Sequence, residues 1–315
     1  DLYMKKISLN TIIILITSII LINVLLNREL IFNTISFSLN IWVKNIIPSL
    51  FPFFVLSDIL INYGIIKYVP NCIKKTFSKL FNIKEDCLVI FLLSMLSGFP
   101  SNARNTKNMY QKGIITKEEA EHILIFTHFS NPLFILGTVA IFFLNNKTYG
   151  LIILISHYLS NIILGIILRN KSSYSPSNHY NTFSPNRQNF GIVLSKSIKS
   201  SIDTLLMILG TLTCFLIIST LIIHNLNLNN YNSTLIKGIL EITMGLKDLS
   251  LLNINDIYKV VISSMFLSFG GLSVHMQVIS ELSDTDISYK PFILGRFFHA
   301  IIAGLISIFL FRIII

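Results

Sequence analysis

Charge is scarce in this chain. Asp, Glu, Lys and Arg make up 13% of its 315 residues, where soluble proteins carry about 25%, and the mean hydropathy is +0.69. That deficit excludes an ordinary cytosolic enzyme. Cysteine is equally sparse: Cys72, Cys87 and Cys214 are too few and too scattered for a disulfide framework or a CxxC metal site, and read as packing residues. Catalytic fingerprints are missing too. There is no HExxH, no Gx4GK[ST], no GxSxG and no dinucleotide-binding glycine pattern, so neither an enzyme nor a bound metal or cofactor is expected. The net charge of +10 invites a nucleic-acid reading. Its Lys and Arg residues are dispersed between apolar blocks, however, and form no stripe that would follow a phosphate backbone, so no nucleic-acid partner is expected.

What the chain does have is long uncharged blocks, and the partner they require is a lipid bilayer. The block at 7–26 follows Lys5 and Lys6, and Asn27-Arg28-Glu29 supplies no small-residue cleavage site, so residues 1–30 read as a retained anchor helix. A run at 46–65, with Pro48 and Pro52 near its start, is long enough to span about 30 Å of hydrocarbon. Lys67, Lys74, Lys75, Lys79 and Lys84 then share one segment, 66–86, which the bias of positive charge in short loops places in the cytoplasm. This segment reads as an amphipathic helix on the membrane surface. The run at 87–96 is ten residues long, about 15 Å as a helix, and cannot span. It leads into Ser97-Gly98-Phe99-Pro100-Ser101-Asn102-Ala103-Arg104, a break at what should be bilayer depth, where irregular backbone is tolerated only inside protein or beside a watery cavity.

Thr116-Lys117-Glu118-Glu119 is a capping box that starts a helix. Asn131-Pro132 interrupts that helix before an apolar run at 133–144, and a full span at 149–168 follows. The Ser-, Asn- and Pro-rich stretch 169–190, bounded by Arg169 and containing Lys171 and Arg187, is the one linker-like segment. Beyond it come a long helix at 192–223, a moderately apolar helix at 235–252 and a short run at 257–267 ending in Ser268-Phe269-Gly270-Gly271-Leu272-Ser273-Val274-His275. A last span at 292–313 closes the chain. The charge bias is satisfied throughout if both short runs are re-entrant hairpins entering from opposite sides. The expected fold class is therefore an all-α polytopic membrane protein of two inverted-topology repeats, each with a re-entrant helical hairpin. The anchor helix at 1–30 precedes a first repeat at 31–168 with its hairpin at about 87–112. A cytoplasmic linker at 169–190 leads to a second repeat at 191–315 with its hairpin at about 257–283.

A few residues stand where cost demands a reason. An intramembrane Arg costs at least ~2.5 kcal/mol, so Arg104 either binds solute beside Ser101 and Asn102 or belongs, with Lys107, to the hydrated return of the hairpin. His275 can bind a carboxylate or follow pH, or is a hydrogen-bonded packing residue. Its neighbours Gly270, Gly271, Ser273 and Gln277 are candidate solute contacts, with packing and capping as the competing account. Asn131 offers an amide at a helix break or simply marks a kink. Glu241, isolated in an apolar helix, faces a cavity or the outer surface. Arg296 and His299 near the start of the last helix are expected to snorkel outward.

Three stretches carry a resemblance. Ser97-Gly98-Phe99-Pro100 through Arg104 is followed by Tyr110-Gln111-Lys112-Gly113 through Ala120, and then by Phe126-Thr127-His128-Phe129-Ser130-Asn131-Pro132 through Val139. With Gly238 through Gly245 and Ser268 through Gln277, they resemble the YlbJ-type sporulation integral membrane proteins of the nucleoside-recognition (Gate) domain superfamily. The resemblance spans roughly residues 40 to 310. It implies a fold similar to concentrative nucleoside transporters and a place in the outer forespore membrane of sporulating cells. The implied role is export of dipicolinic acid from the mother cell, supporting the spore cortex. The small-molecule partner it implies is thus an anion, dipicolinate, and related folds often form dimers or trimers, which leaves a homo-oligomer open. Dipicolinate is a flat dianion suited to hairpin N-termini with Arg104 and His275. A neutral nucleoside would instead need amide and carboxylate pairs such as Asn131 and Glu241. A nucleoside or other small-solute permease and a non-transporting sporulation scaffold are the alternatives.

Overall fold

The computed structural model describes residues 8–169 and 189–315; Lys5, Lys6 and all but the ends of the expected linker at 169–190 lie outside them. The described residues are helical and contain no strand. Six helical stretches among them are long and apolar enough to cross a membrane. The first, α1 (Leu9–Leu26), is started by Ser8, whose hydroxyl accepts from Thr11 N, and buries none of its residues, as a helix apolar on every side does when lipid is its solvent. Helix α2 (Arg28–Ile41), a π-helical turn (Trp42–Ile46) and α3 (Ile47–Asn62) form one 35-residue path. Pro48 and Pro52, which have no N–H to donate, follow directly on the π-helical turn, Pro52 lying inside α3.

The lysine-rich segment contains α4 (Asn71–Phe81). Its apolar face is not left for the membrane surface alone. Phe77 and Phe81 are buried, their rings 4.9 Å apart, and Phe81 stacks on Phe126 at 4.6 Å within a cluster that also holds Phe91. Ile73 and Leu80 remain exposed on the same helix.

Helices α5 (Cys87–Ser97) and α6 (Ser101–Gln111) fold back on one another. Lys84, just before α5, donates to Ile114 O, just after α6, so both feet of this hairpin lie together. The capping box expected at Thr116 is formed, with Glu119 N donating to the Thr116 hydroxyl at 3.1 Å and Thr116 N to the Glu119 carboxylate at 2.9 Å. It starts α7 (Lys117–Phe126), which gives way to non-helical backbone at 127–131 and resumes as a π-helical segment (Phe134–Phe143). The path is interrupted but does not reverse. Along α8 (Lys147–Ile167), Gly150 lies against Ala140, His157 accepts from Ser130 N at 2.8 Å, and Asn161 donates to His128 O at 2.6 Å.

The second half holds α9 (Phe190–Leu226), α10 (Asn230–Leu240), α11 (Ile242–Leu251), α12 (Asp256–Phe269), α13 (Gly271–Leu282) and α14 (Lys290–Ile314). Here the expectation needs correcting. The hairpin expected at about 257–283 does not fold back: α12 and α13 follow α14 without reversing. Met265 packs where Gly304 leaves room, Phe269 lies 5.5 Å from Phe297, and His275 meets Tyr289. One residue, Gly270 at φ +94°, closes α12, and α13 restarts at once. Between α5 and α6, by contrast, Gly98-Phe99-Pro100 provide three residues in which to turn. The folding back in this half occurs earlier, at α10 and α11. Lys237 pairs with Asp248 at 2.5 Å, and a Cβ on Gly245 would sit 2.2 Å from Gly238 Cα.

One rim gathers the ends of α3, α6 and α13. Lys112 donates to Asn62 at 3.1 Å, Lys107 pairs with Asp284 at 2.7 Å, and Tyr110 donates to Asp286 at 2.6 Å. The hydrogen bond from Lys107 holds the Asp284 carboxyl below the usual carboxylate range, and that from the Tyr110 hydroxyl does the same for Asp286. Tyr149 and Asp256, 2.7 Å apart, mark the opposite rim.

Candidate solute-binding site

Four interruptions of helix meet inside the bundle. The tip between α5 and α6 turns on Gly98 at φ +77°, where a Cβ would lie 2.5 Å from Asn131 N, so only glycine allows both the backbone and the close approach. Asn131 answers from the break after α7. Its amide donates to Leu96 O at 3.1 Å, Ser97 O at 3.4 Å and Ser49 O at 3.2 Å, and its oxygen accepts from Leu133 N at 2.7 Å. One side chain thereby ties the tip, α3 and the start of the π-helical segment. The tip between α10 and α11 is Glu241, whose carboxylate caps α11 by accepting from Met244 N at 2.9 Å. The fourth interruption, Gly270-Gly271, closes on this second tip: a Cβ on Gly271 would come within 3.3 Å of Ile242 N.

Where these meet there is a small cavity of about 60 Å³. Asn131, Glu241, Ser273 and Gln277 line it, as do Phe99, Phe134, Ser130 and Thr243. No Lys, Arg or His is among its lining residues. Ser130 Oγ is buried and makes no hydrogen bond among the described residues.

The remaining candidates lie elsewhere. Arg104 is buried, not in water or at head groups, but it faces α3 and α9 instead of the cavity. It pairs with Asp58 and donates to Ser200 Oγ at 2.9 Å and Ser201 Oγ at 3.4 Å. Ser101 donates to Gly98 O at 2.5 Å and so helps close the tip, while the amide of Asn102 is buried without a hydrogen bond among the described residues. His275 uses both ring nitrogens internally, on the Tyr289 hydroxyl and on Phe269 O at 3.0 Å. Gly270 faces His128, 2.8 Å from where its Cβ would stand. Arg296 and His299, expected to snorkel, are wholly buried, because the start of α14 is wedged between α7 and α12.

Several residues here escaped the sequence reading. Asp58, an acid inside the apolar run at 46–65, carried a usable signal, since a buried acid and Arg104 each require a partner. Phe99, Ser130 and Thr243 stood beside residues already singled out. Nothing in the spacing marked Phe134.

The nucleoside-recognition (Gate) family matches residues 43–147. The chain is also 30% identical to the sporulation integral membrane protein YlbJ of Bacillus subtilis (strain 168), in an alignment of 310 residues covering 87% of this chain and 76% of that protein. The chain belongs to the YlbJ family. It is an integral membrane protein. The Gate match covers α3, the Gly98 tip, Arg104 and the Asn131 break, whereas Glu241, Ser273 and Gln277 come from the half of this YlbJ-family chain beyond it. No solved structure matches the chain.

Proposed function

We propose that the chain is a carrier for a small planar solute. In sporulating cells this solute is dipicolinate, exported from the mother cell across the outer forespore membrane to support the spore cortex. The observation that carries the reading is the cavity bounded by two folded-back tips and two interrupted helices. Secondary transporters hold solutes in such a place, at the interface of inverted repeats near the midplane. In this reading α5–α6 and α10–α11 are the matched re-entrant hairpins, and α7 with its π-helical continuation matches α12–α13. The lysines of 66–86, with Lys107, Lys112 and Lys117, make their rim the cytoplasmic one.

For an anion, the helix ends supply the attraction that side chains do not. The N-termini of α6 and α13 have no side-chain cap, and open N–H groups with aligned peptide dipoles favour carboxylates. Phe99 and Phe134 offer apolar surface to a flat ring, and the free Ser130 hydroxyl offers a donor. One observation favours a second reading: Glu241 lines the cavity and no cationic side chain does, which suits a neutral nucleoside that donates hydrogen bonds to a carboxylate. Titrating the lipid-reconstituted protein with each solute separates the two. Saturable dipicolinate binding that nucleosides do not displace is expected. Nucleoside binding indifferent to dipicolinate selects the second reading, and binding of neither removes both.

A further inference from the structure

Arg296 is the largest fully buried side chain among the described residues, and no carboxylate there forms an ion pair with it. A lone buried cation is costly unless something negative surrounds it. What surrounds it is helix C-termini. The guanidinium donates to Ile125 O, one residue before the end of α7, and to Ser268 O at 3.5 Å, one residue before the end of α12. Both helices stop at the breaks that border the cavity. Each helix C-terminus presents about half a negative charge, so the two together offset roughly one cation.

The histidines beside it add no charge. His299 Nδ1 accepts from Arg296 at 2.6 Å, which leaves Nε2–H to donate to His157 O at 2.9 Å. His157 Nε2 accepts from Ser130 N at 2.8 Å, leaving Nδ1–H for the Ser268 hydroxyl at 2.9 Å. Each therefore accepts at one nitrogen and is neutral in this hydrogen-bond network. The network joins Arg296 to both breaks.

Broken-helix carriers commonly place a coupling cation against unwound carbonyls and half-helix C-terminal ends. We propose that the guanidinium of Arg296 is a tethered counter-cation, seated where the C-terminal ends of α7 and α12 would otherwise hold a metal ion, so that solute binding needs no Na⁺. The final clause rests on the carrier reading; the seat itself does not.

Thermal unfolding of the detergent-purified full chain tests the seat without any solute. The wild-type midpoint is expected to be the same in NaCl, KCl and choline chloride at equal ionic strength. Arg296→Lys, which keeps the charge, is expected to retain most of the stability that Arg296→Gln loses. Arg296→Ala is expected to unfold earlier and to regain about 2 °C with millimolar guanidinium, the shift given by occupancy near ten times Kd, while the wild type does not respond. A wild type stabilised by Na⁺ over choline, an Arg296→Gln variant as stable as wild type, or an alanine variant deaf to guanidinium would overturn the proposal. If the alanine variant does not fold, the salt series and the Lys and Gln variants still decide. Solute uptake into liposomes should proceed equally in Na⁺ and choline, and uptake that stops in choline refutes the coupling clause. Absence of uptake in both media would count against the carrier reading and leave the stability series standing.

Discussion

The pair Asp58 and Arg104 allows the role of the intramembrane arginine to be measured. Their side chains are 9% and 3% exposed, so removing either partner strands a buried charge, which costs about 3–5 kcal/mol. Asp58→Leu should fall at the lower end, because Arg104 keeps its bonds to Ser200 and Ser201; Arg104→Met leaves a carboxylate with less support. At ~2.1 cal/mol/K per residue a chain of 315 residues shifts by roughly 1.5 °C per kcal/mol, so each single change should lower the unfolding midpoint by about 5–8 °C. The double variant Asp58→Leu with Arg104→Met replaces the pair by apolar groups and should recover to within ~1 kcal/mol of wild type, since such replacements are often neutral. The assay is thermal unfolding in detergent, run as a double-mutant cycle, with dipicolinate titrated into each folded variant. A packing pair predicts that the double variant binds solute as wild type does. A double variant that is stable but no longer binds would refute this account and return Arg104 to the solute. A single variant that loses less than ~1 kcal/mol would refute the energetic reasoning.

Three further outcomes follow from the geometry. Gly98→Ala should reduce both stability and solute binding, because its Cβ would meet Asn131 N at 2.5 Å in a backbone at φ +77°; the expected loss exceeds the ~1 kcal/mol that a Gly to Ala change gains where the backbone suits alanine, and is readable by unfolding midpoint. Glu241→Gln keeps an oxygen for Met244 N but removes the charge beside the cavity. Isothermal titration should show dipicolinate binding more tightly by about tenfold, roughly 1.4 kcal/mol, whereas weaker binding would place the carboxylate among the anion's supports. The lowered carboxyls of Asp284 and Asp286 set a pH dependence of definite sign. Their contribution is complete above the ordinary carboxylate value near 4 and fades as pH falls through the lowered folded values, so the midpoint of wild type should drop more steeply below pH ~4 than that of Asp284→Asn with Asp286→Asn.

Much of the architecture was legible because bilayer thickness and backbone chemistry act locally. Apolar run lengths marked the spans, Gly98-Phe99-Pro100, Asn131-Pro132 and Gly270-Gly271 marked the breaks, and Thr116 with Glu119 marked a helix start. Those signals are written in consecutive residues. What they left open is whether a broken helix turns back or runs on. Gly270 in α12–α13 and the Gly98 tip look alike as letters, yet the first continues beside α14 and the second reverses against its own helix, a choice made by neighbours far along the chain. The hairpin at α10–α11 was hidden for a related reason: its helices are short and of mixed polarity, and the close approach of Gly245 to Gly238 appears only when they pack.

The site divides in the same way. The scarcity of charge and the length of the uncharged blocks pointed to a membrane protein, and a helix break, an isolated acid and nearness to His275 picked out Asn131, Glu241, Ser273 and Gln277, which tertiary packing brings to one cavity. Packing also sent Arg104 to Asp58 and Arg296 to two helix ends instead of to water. A sequence states that a charge lies at bilayer depth and must be compensated. Only the folded chain decides by what, because Arg104 meets a carboxylate 46 residues away and Arg296 a carbonyl 171 residues away, through space and not along the chain.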